Sequence, residues 1–383
     1  MVTHDASEVL LADEFALTPA WIYLNHAAVA PWPRRTGEAV KRFADENQHH
    51  GAVHYERWLA AERHARDQVA TLIHAPSSDD IAFVKNTSEA LSIVAHGFPW
   101  QPGDEVVISD EEFPSNRIVW ESLARYGVRV REVNLRPEDP EQALLDATGA
   151  RTRLMSISSV QYASGLRLDL AHLGAGCRER GIAFCVDAIQ SLGAVEHDVQ
   201  CCGIDFLMAD AHKWLLGPEG IGVFYCSAAW RERLTLHEYG WRMVCDPGDF
   251  DRRDWQIEPT ARRFECGSPN MLGIHALSAS LSLLLEIGMS RVEQLVLART
   301  EHLMTRIEAS SELQLITWRD PGRYAGIVSF QHRDLSAAVL HEKLRKHQVL
   351  CAVRAGAVRF SPHCHTPLSH LDQALHYASN DAG

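Results

Sequence analysis

Between residues 81 and 226, short β-branched runs alternate with helical patterns, and this rhythm constrains the chain more than any other feature. IAFV (81–84) is followed by a helical pattern from Thr87, EVVIS (105–109) by one from about Asn116, and VRVREV (128–133) by one near Pro140. RLMSISSV (153–160) leads to a helix expected from Asp169, and IAFCVD (182–187), DFLMAD (205–210) and GIGVFYC (220–226) continue the series. Strands alternating with helices predict an α/β fold with a mainly parallel sheet flanked by helices. In such a sheet, function is expected in the loops at the carboxyl ends of the strands.

Past Gly267 the pattern changes to long amphipathic helices, expected over about 268–289 and 290–310. A strand-like AGIVSFQ (325–331), a helix over 336–347 and a last strand near VLCAV follow, which predicts a smaller C-terminal α+β domain. The division expected is an N-terminal segment (1–22) packing on the small domain, a large domain (23–267), and a connecting helix with the small domain (268–383). A first helical stretch is expected around Asp13 to Leu17. No repeat or low-complexity tract interrupts this plan.

The chain has 383 residues, of which 46% are hydrophobic, enough to build a sizeable core. With 37 Lys+Arg against 50 Asp+Glu the formal charge is −13, which argues against nucleic acid as a partner. No apolar run reaches bilayer length, so no membrane span is expected. Acids stand at the N-terminus where a signal peptide would be basic, and a cytoplasmic location is expected. Nine cysteines, an odd number thinly spread, fit a reducing compartment better than a disulfide framework. Cys201–Cys202 and His363–Cys364–His365 lack the two-residue ligand spacing of structural zinc sites, so no metal is expected.

The chemistry concentrates in HKWLLGPEGIGVFY. Lys213 follows one strand and has Trp214 and Leu215 beside it; an apolar setting lowers an amine's pKa and suits it to Schiff-base formation. Asp187 ends the strand FCVD, so in a parallel sheet it and Lys213 can face one crevice. A carboxylate opposite such a lysine is what pyridoxal phosphate needs, because it keeps the pyridine nitrogen protonated. The turn KNTSEA offers Thr87 and Ser88 at a helix N-terminus, either as a phosphate seat or as an ordinary cap.

NTSEAL, DEEFPSN, SSVQYASGLRLDL, VDAIQS, ADAHKWLLGPEGIG, RRFECGSPN and VRFSPH occur in the order seen in the class V aminotransferase family. These are fold type I pyridoxal phosphate enzymes, among them cysteine desulfurases, kynureninase and isopenicillin N epimerase-like proteins. The chain resembles that family from about Tyr23 to Thr366. The resemblance implies pyridoxal 5′-phosphate as cofactor, carried by Lys213, with Asp187 on the pyridine nitrogen and Gln190 on the ring's phenolic oxygen. It further implies Phe113 over the ring face, and Thr87, Ser88 and His212 on the phosphate. Ser268 matches a residue that reaches the neighbouring subunit's phosphate, which implies a homodimer with shared active sites. Arg359 matches the arginine that grips an amino-acid substrate's α-carboxylate.

Departures from the family are equally informative. Tyr162 stands where desulfurases carry an asparagine beside the ring, so that contact is altered or passes to Gln161. Asp210 stands where they carry a phosphate-binding serine. RAGAVR (354–359) has neither the mobile loop nor the persulfide-forming cysteine that desulfurases insert there. The reading is therefore an enzyme that removes an amino acid's α-proton, as a transaminase or a C–S or β-elimination lyase. An epimerase is the alternative, and a cysteine desulfurase is disfavoured. Two further readings stay open: a cofactor-binding regulatory protein, and a metal-dependent hydrolase using His363 and His365.

Overall fold

The computed structural model describes residues 6–18, 20–135 and 138–379. It opens with a helix, Ala6–Glu14, and a short strand β1 (Ile22–Tyr23). Helices Arg34–His50 and Tyr55–Leu72 follow. The large sheet is then laid down by β2 (Ile81–Val84), β3 (Glu105–Ser109), β4 (Arg129–Val133), β5 (Thr152–Ser158), β6 (Ala183–Asp187), β7 (Phe206–Asp210) and β8 (Gly222–Cys226). Their spatial order is β2-β8-β7-β6-β5-β3-β4. Six strands share one direction and β8 runs against both its neighbours. The reversal follows from the link between β7 and β8, residues 211–221, which is a folded loop with no helix to carry the chain back.

Successive residues of each strand enter different cores, as a pleated sheet covered on both faces requires. Phe184, Val186, Leu207 and Val223 pack with Met271, Ile274, Leu277, Leu281 and Leu284 of the helix Met271–Ile287. Ala183, Cys185, Phe206, Met208 and Phe224 pack on the other side with Leu91, Val94 and Trp120. The buried positions of Met271–Ile287 recur every three or four residues and lie against both long N-terminal helices. Each fully buried Leu, Ile or Phe contributes about 1.5–3 kcal/mol as an upper estimate.

The remaining elements are the helix Met289–Glu308, β9 (Leu313–Leu315), β10 (Val328–His332), the helix Ala337–Lys346, β11 (Val349–Leu350), β12 (Ala352–Arg354), β13 (Ala357–Phe360) and the helix Leu368–Ser379. β12-β13-β10-β9 form an antiparallel sheet over a separate core of Leu303, Met304, Ile307, Phe330, Leu340, Phe360 and Leu371. β1 pairs with β11 in parallel. Leu11 of the first helix joins the core under the large sheet, Asp13 and Glu14 pair with Arg34 and Arg35, and Phe15 stacks on His365 at 3.6 Å between ring centroids. No single helix among the described residues is long and apolar enough to cross a membrane, and Met271–Ile287 meets Met289–Glu308 at a bend of 85°.

Candidate active site

The shared strand direction puts the ends of β2, β6 and β7 on one edge of the large sheet, and with them Thr87, Asp187, Asp210 and Lys213. Asp187 closes β6 opposite Met208 of β7 and is 2% exposed. Its Oδ1 accepts the Ile189 N–H at 3.0 Å. Burial raises its carboxyl pKa, and the nearby Glu112 adds to the rise. Desolvation lowers the Lys213 amine, with Arg359 and Arg354 pushing the same way and Asp187 and Asp210 opposing. Lys213 Nζ sits 5.8 Å from the centre of the Phe113 ring, which is 41% exposed and meets Tyr162 edge-on.

Lys213 is braced by its neighbours. Trp214 is fully buried and donates from Nε1 to Gln190 Oε1 at 3.1 Å, while Gln190 Nε2 donates to the Ala27 carbonyl at 3.1 Å. His212 is held neutral: desolvation, then Lys213, lowers its pKa to about 4, and its buried Nδ1 makes no hydrogen bond. Gln161 donates to the Ser158 carbonyl at 3.3 Å and leaves Oε1 buried without a partner.

The Thr87 turn folds as a capped helix start. Asn86 accepts the Glu89 N–H at 2.9 Å, and Glu89 reaches back to the Lys85 N–H. Thr87 is buried, and both its N–H and its hydroxyl donate to Asp210 Oδ1. Ser88 is exposed and donates to Ser115 Oγ at 2.8 Å. Ser268 does not begin the long helix as its sequence suggested. The helix starts at Met271 with Asn270 as cap, because Asn270 Oδ1 accepts the Gly273 N–H at 2.9 Å. Ser268 lies before it on an exposed loop that shares a cleft with Lys85 and Glu89.

Arg359 reaches the same place from the small sheet. It is 1% exposed on β13 and donates from Nη1 to the Tyr162 carbonyl at 2.7 Å. Nε and Nη2, the two donors along one edge of the guanidinium, are buried without a partner. That edge is the shape a carboxylate accepts in a two-pronged bond. Desolvation, then Arg354, pulls the Arg359 pKa below its usual range.

β12 and β13 are joined by a tight two-residue turn. Arg354 pairs with Ala357, and Ala355 and Gly356 both take positive φ, 45° and 75°. This turn has no room for a mobile thiol carrier. Cys351 is buried just before β12, with its thiol pushed up to about 12 by desolvation.

Three contributors went unnoticed in the sequence. Arg354 lies two residues along β12 from Ala352, which faces Arg359, so both arginines share one face of the small sheet. The segment after β1 also enters the site: Ala27 receives Gln190, and Ala30 N–H donates to the His212 carbonyl at 2.7 Å. His26 in that segment contacts His365 at 2.9 Å between Nε2 atoms. Its only sequence signal was an Asn-His-Ala-Ala turn directly after an apolar strand. Among the described residues no group of three or more His, Cys, Asp or Glu side chains is arranged to hold a metal ion.

Comparison with known proteins agrees with this fold. The model of the family Aminotransferase class-V matches residues 22–374. A probable cysteine desulfurase of Methanothermobacter thermautotrophicus is 33% identical over 363 residues, covering 93% of this chain and 87% of the relative. A cysteine desulfurase of Klebsiella pneumoniae subsp. pneumoniae is 31% identical over 364 residues, covering 91% and 85%. Among solved structures, the cysteine desulfurase CsdA of Escherichia coli superposes with a TM-score of 0.85 at 23% identity, covering 98% of each chain. The cystine C–S lyase C-DES, in complex with its reaction product cysteine persulfide, gives a TM-score of 0.86 at 22% identity, covering 94% of this chain and 97% of the other. At these identities the structural matches speak for the fold.

Proposed function

This chain belongs to the class V aminotransferase family and is a pyridoxal-phosphate-dependent enzyme, and from that premise we propose that it is a C–S lyase: it cleaves sulfur from cysteine or a cysteine derivative without storing it on a protein thiol. The observation that carries this reading is the closed Ala355–Gly356 turn, in the place where a carrier cysteine would need a loop. The names of the relatives support the substrate class. The two thiols nearest that turn in sequence are poor carriers: Cys351 and Cys364 are buried, each with its pKa raised by desolvation to about 12.

The residues present fit pyridoxal 5′-phosphate. A half-buried amine, a buried carboxylate, a ring face and donors at a helix start converge, and Gln161 Oε1, His212 Nδ1 and the Arg359 edge are left unpaired. When bound, the cofactor supplies an aldehyde carbon on which amines exchange and a protonated ring that takes up the electron pair left at the substrate's α-carbon.

The chain's own residues do the rest. Lys213 would hold the cofactor and Asp187 would keep the ring nitrogen protonated. The unpaired Arg359 edge would grip the α-carboxylate and hold the substrate's α-carbon in one orientation. Lys213 Nζ, whose pKa desolvation lowers to about 8, takes the α-proton in its neutral form. The Cβ–S bond would then break with its electron pair on sulfur, and the Lys213 ammonium would give its proton to the departing sulfur. A homodimer is part of the same proposal, with Ser268 reaching the other subunit's phosphate.

The test is a product assay on L-cysteine and L-cystine combined with borohydride reduction. Expected are pyruvate, ammonia and reduced or persulfidic sulfur in solution, cofactor fixed on the peptide containing Lys213, and no persulfide on the protein. Accumulation of the aminated cofactor with a 2-oxo acid would assign a transaminase instead. A persulfide on Cys351 or Cys364 that turnover requires would overturn the carrier-free reading.

A further inference from the structure

Thr87 would supply a phosphate's donors at the start of the helix Thr87–Gly97, and the Asp210 carboxylate already holds them. Asp210 Oδ1 accepts both the backbone N–H and the hydroxyl of Thr87, the latter at 2.9 Å. Asp210 closes β7 opposite Gly222 of β8, and a Cβ at position 222 would come within 3.3 Å of Oδ1. The carboxylate is thus built into the sheet edge beside the helix, in a space kept open by a glycine.

The groups around Asp210 leave little to balance a second negative charge. His212 Nδ1 stands 3.4 Å from Oδ2, on an imidazole that burial keeps neutral. Lys213 is the nearby cation, and Glu219 and Asp187 are further acids whose fields reach it or are felt from it. Asp210 is itself largely buried, and desolvation raises its pKa. A phosphate dianion and a carboxylate competing for the Thr87 donors repel, unless one proton is shared between them.

We propose that Asp210 is a positioning residue for the cofactor phosphate that works as the neutral acid: as phosphate docks on Thr87, Asp210 takes up one proton from water and donates it in a hydrogen bond to a phosphate oxygen. This rests on the reading that the Thr87 turn receives the phosphate. No covalent bond of the phosphate changes, and the balance is one carboxylate and one proton becoming one carboxylic acid. A serine at this position would make the same donor without a proton to take up. The chain therefore couples loading to pH in a way that a hydroxyl would not.

The probe is pyridoxine 5′-phosphate, which keeps ring and phosphate but has an alcohol in place of the aldehyde, so Lys213 cannot bond to it. Its dissociation constant is measured by tryptophan quenching for the wild type, Asp210→Asn, Asp210→Ser and His212→Gln, from about pH 6 to about pH 8. The ratio of wild-type to Asp210→Asn constants is expected to rise by up to about tenfold per pH unit, since only the wild type must bind a proton. His212→Gln should keep the wild-type slope. Without ligand, Asp210→Asn should melt below the wild type, having lost the charged acceptor for Thr87, yet above it with ligand at the alkaline end. A merely structural role would lower both melting points. A flat ratio, or a slope lost in His212→Gln and kept in Asp210→Asn, overturns the proposal. If none of the proteins binds the probe, the Thr87 seat fails and the proposal fails with it.

Discussion

Arg359 donates from Nη1 to the Tyr162 carbonyl at 2.7 Å, a bond that helps tie the small sheet to the loop after β5 while leaving the Nε–Nη2 edge unpaired. The guanidinium is thereby anchored at one prong and open at two. A lysine keeps the charge and loses the fork.

Arg359→Lys is accordingly expected to raise KM for an amino-acid substrate about 10- to 100-fold, the loss of one charged hydrogen bond of about 1.5–3 kcal/mol. Steady-state kinetics on L-cysteine and on the matching thiol amine without a carboxylate check this. The carboxylate-free compound should show little difference between the two proteins. An equal loss on both would mean that Arg359 serves the loop and not the substrate.

Acid stability depends on histidines outside the reaction. His26 and His197 are fully buried and desolvation lowers both pKa values to about 3; His363 is lowered to about 4. A base with a depressed folded pKa contributes stability that is present above its unfolded pKa, near 6.5, and is lost as pH falls below it, because the unfolded chain binds the proton first. Denaturant midpoints should therefore drop steeply from about pH 6.5 toward about pH 4, by up to about 1.4 kcal/mol per pH unit for each independent histidine. His197, whose Nε2 lies 2.8 Å from Ser191 Oγ, is the separable one. His197→Gln should flatten the slope by about one proton, and an unchanged slope would show that this imidazole is not held neutral.

A glycine just before β10 packs on the indole next to Lys213 in the chain. A Cβ on Gly326 would lie 2.2 Å from the Trp214 ring, whose indole N–H holds Gln190 at 3.1 Å and whose chain neighbour is Lys213. Gly326→Ala must move the indole, an overpacking cost of about 1–3 kcal/mol. Expected are a lower melting temperature and a shifted absorption of the bound cofactor. A variant with wild-type spectrum and melting point would show that the contact is slack.

The strand–helix rhythm located every strand of the large sheet because periods of two and near four are written in local residue order. The reversal of β8 was not legible, since strand direction depends on what lies between strands, and a Gly/Pro loop reads alike in either case. Arg359 stood out through its motif, but Arg354 did not, because sharing a face is a matter of cross-strand register between two short strands. Asp210 was visible as an oddity beside Lys213. Its hold on Thr87 spans 123 positions of sequence and exists only once β2 and β7 share an edge. The helix after Gly267 was placed three residues early, since Ser268 and Asn270 are both competent caps and only the observed Asn270–Gly273 bond decides between them.

Ser268 gives the last prediction its leverage. Its exposed hydroxyl lies beyond the cap of its own helix, so the residue does no capping work that its removal would disturb. Nearby, Tyr239, Trp241, Phe250 and Trp255 line one concavity and are exposed, Phe250 by 79%, an aromatic surface suited to burial against a second copy. If two chains share their sites, Ser268→Ala should weaken cofactor binding several-fold with little change in melting temperature of the unloaded protein. A mixed dimer with Lys213→Ala then distinguishes the arrangements. One of its chains carries an intact Lys213 with Ser268→Ala and the other the reverse, so cofactor affinity at the site with the intact lysine should equal the wild type's when Ser268 acts across the interface. It should equal that of Ser268→Ala when the residue acts within its own chain. A fully active monomer in sedimentation at assay concentration would refute the shared site outright.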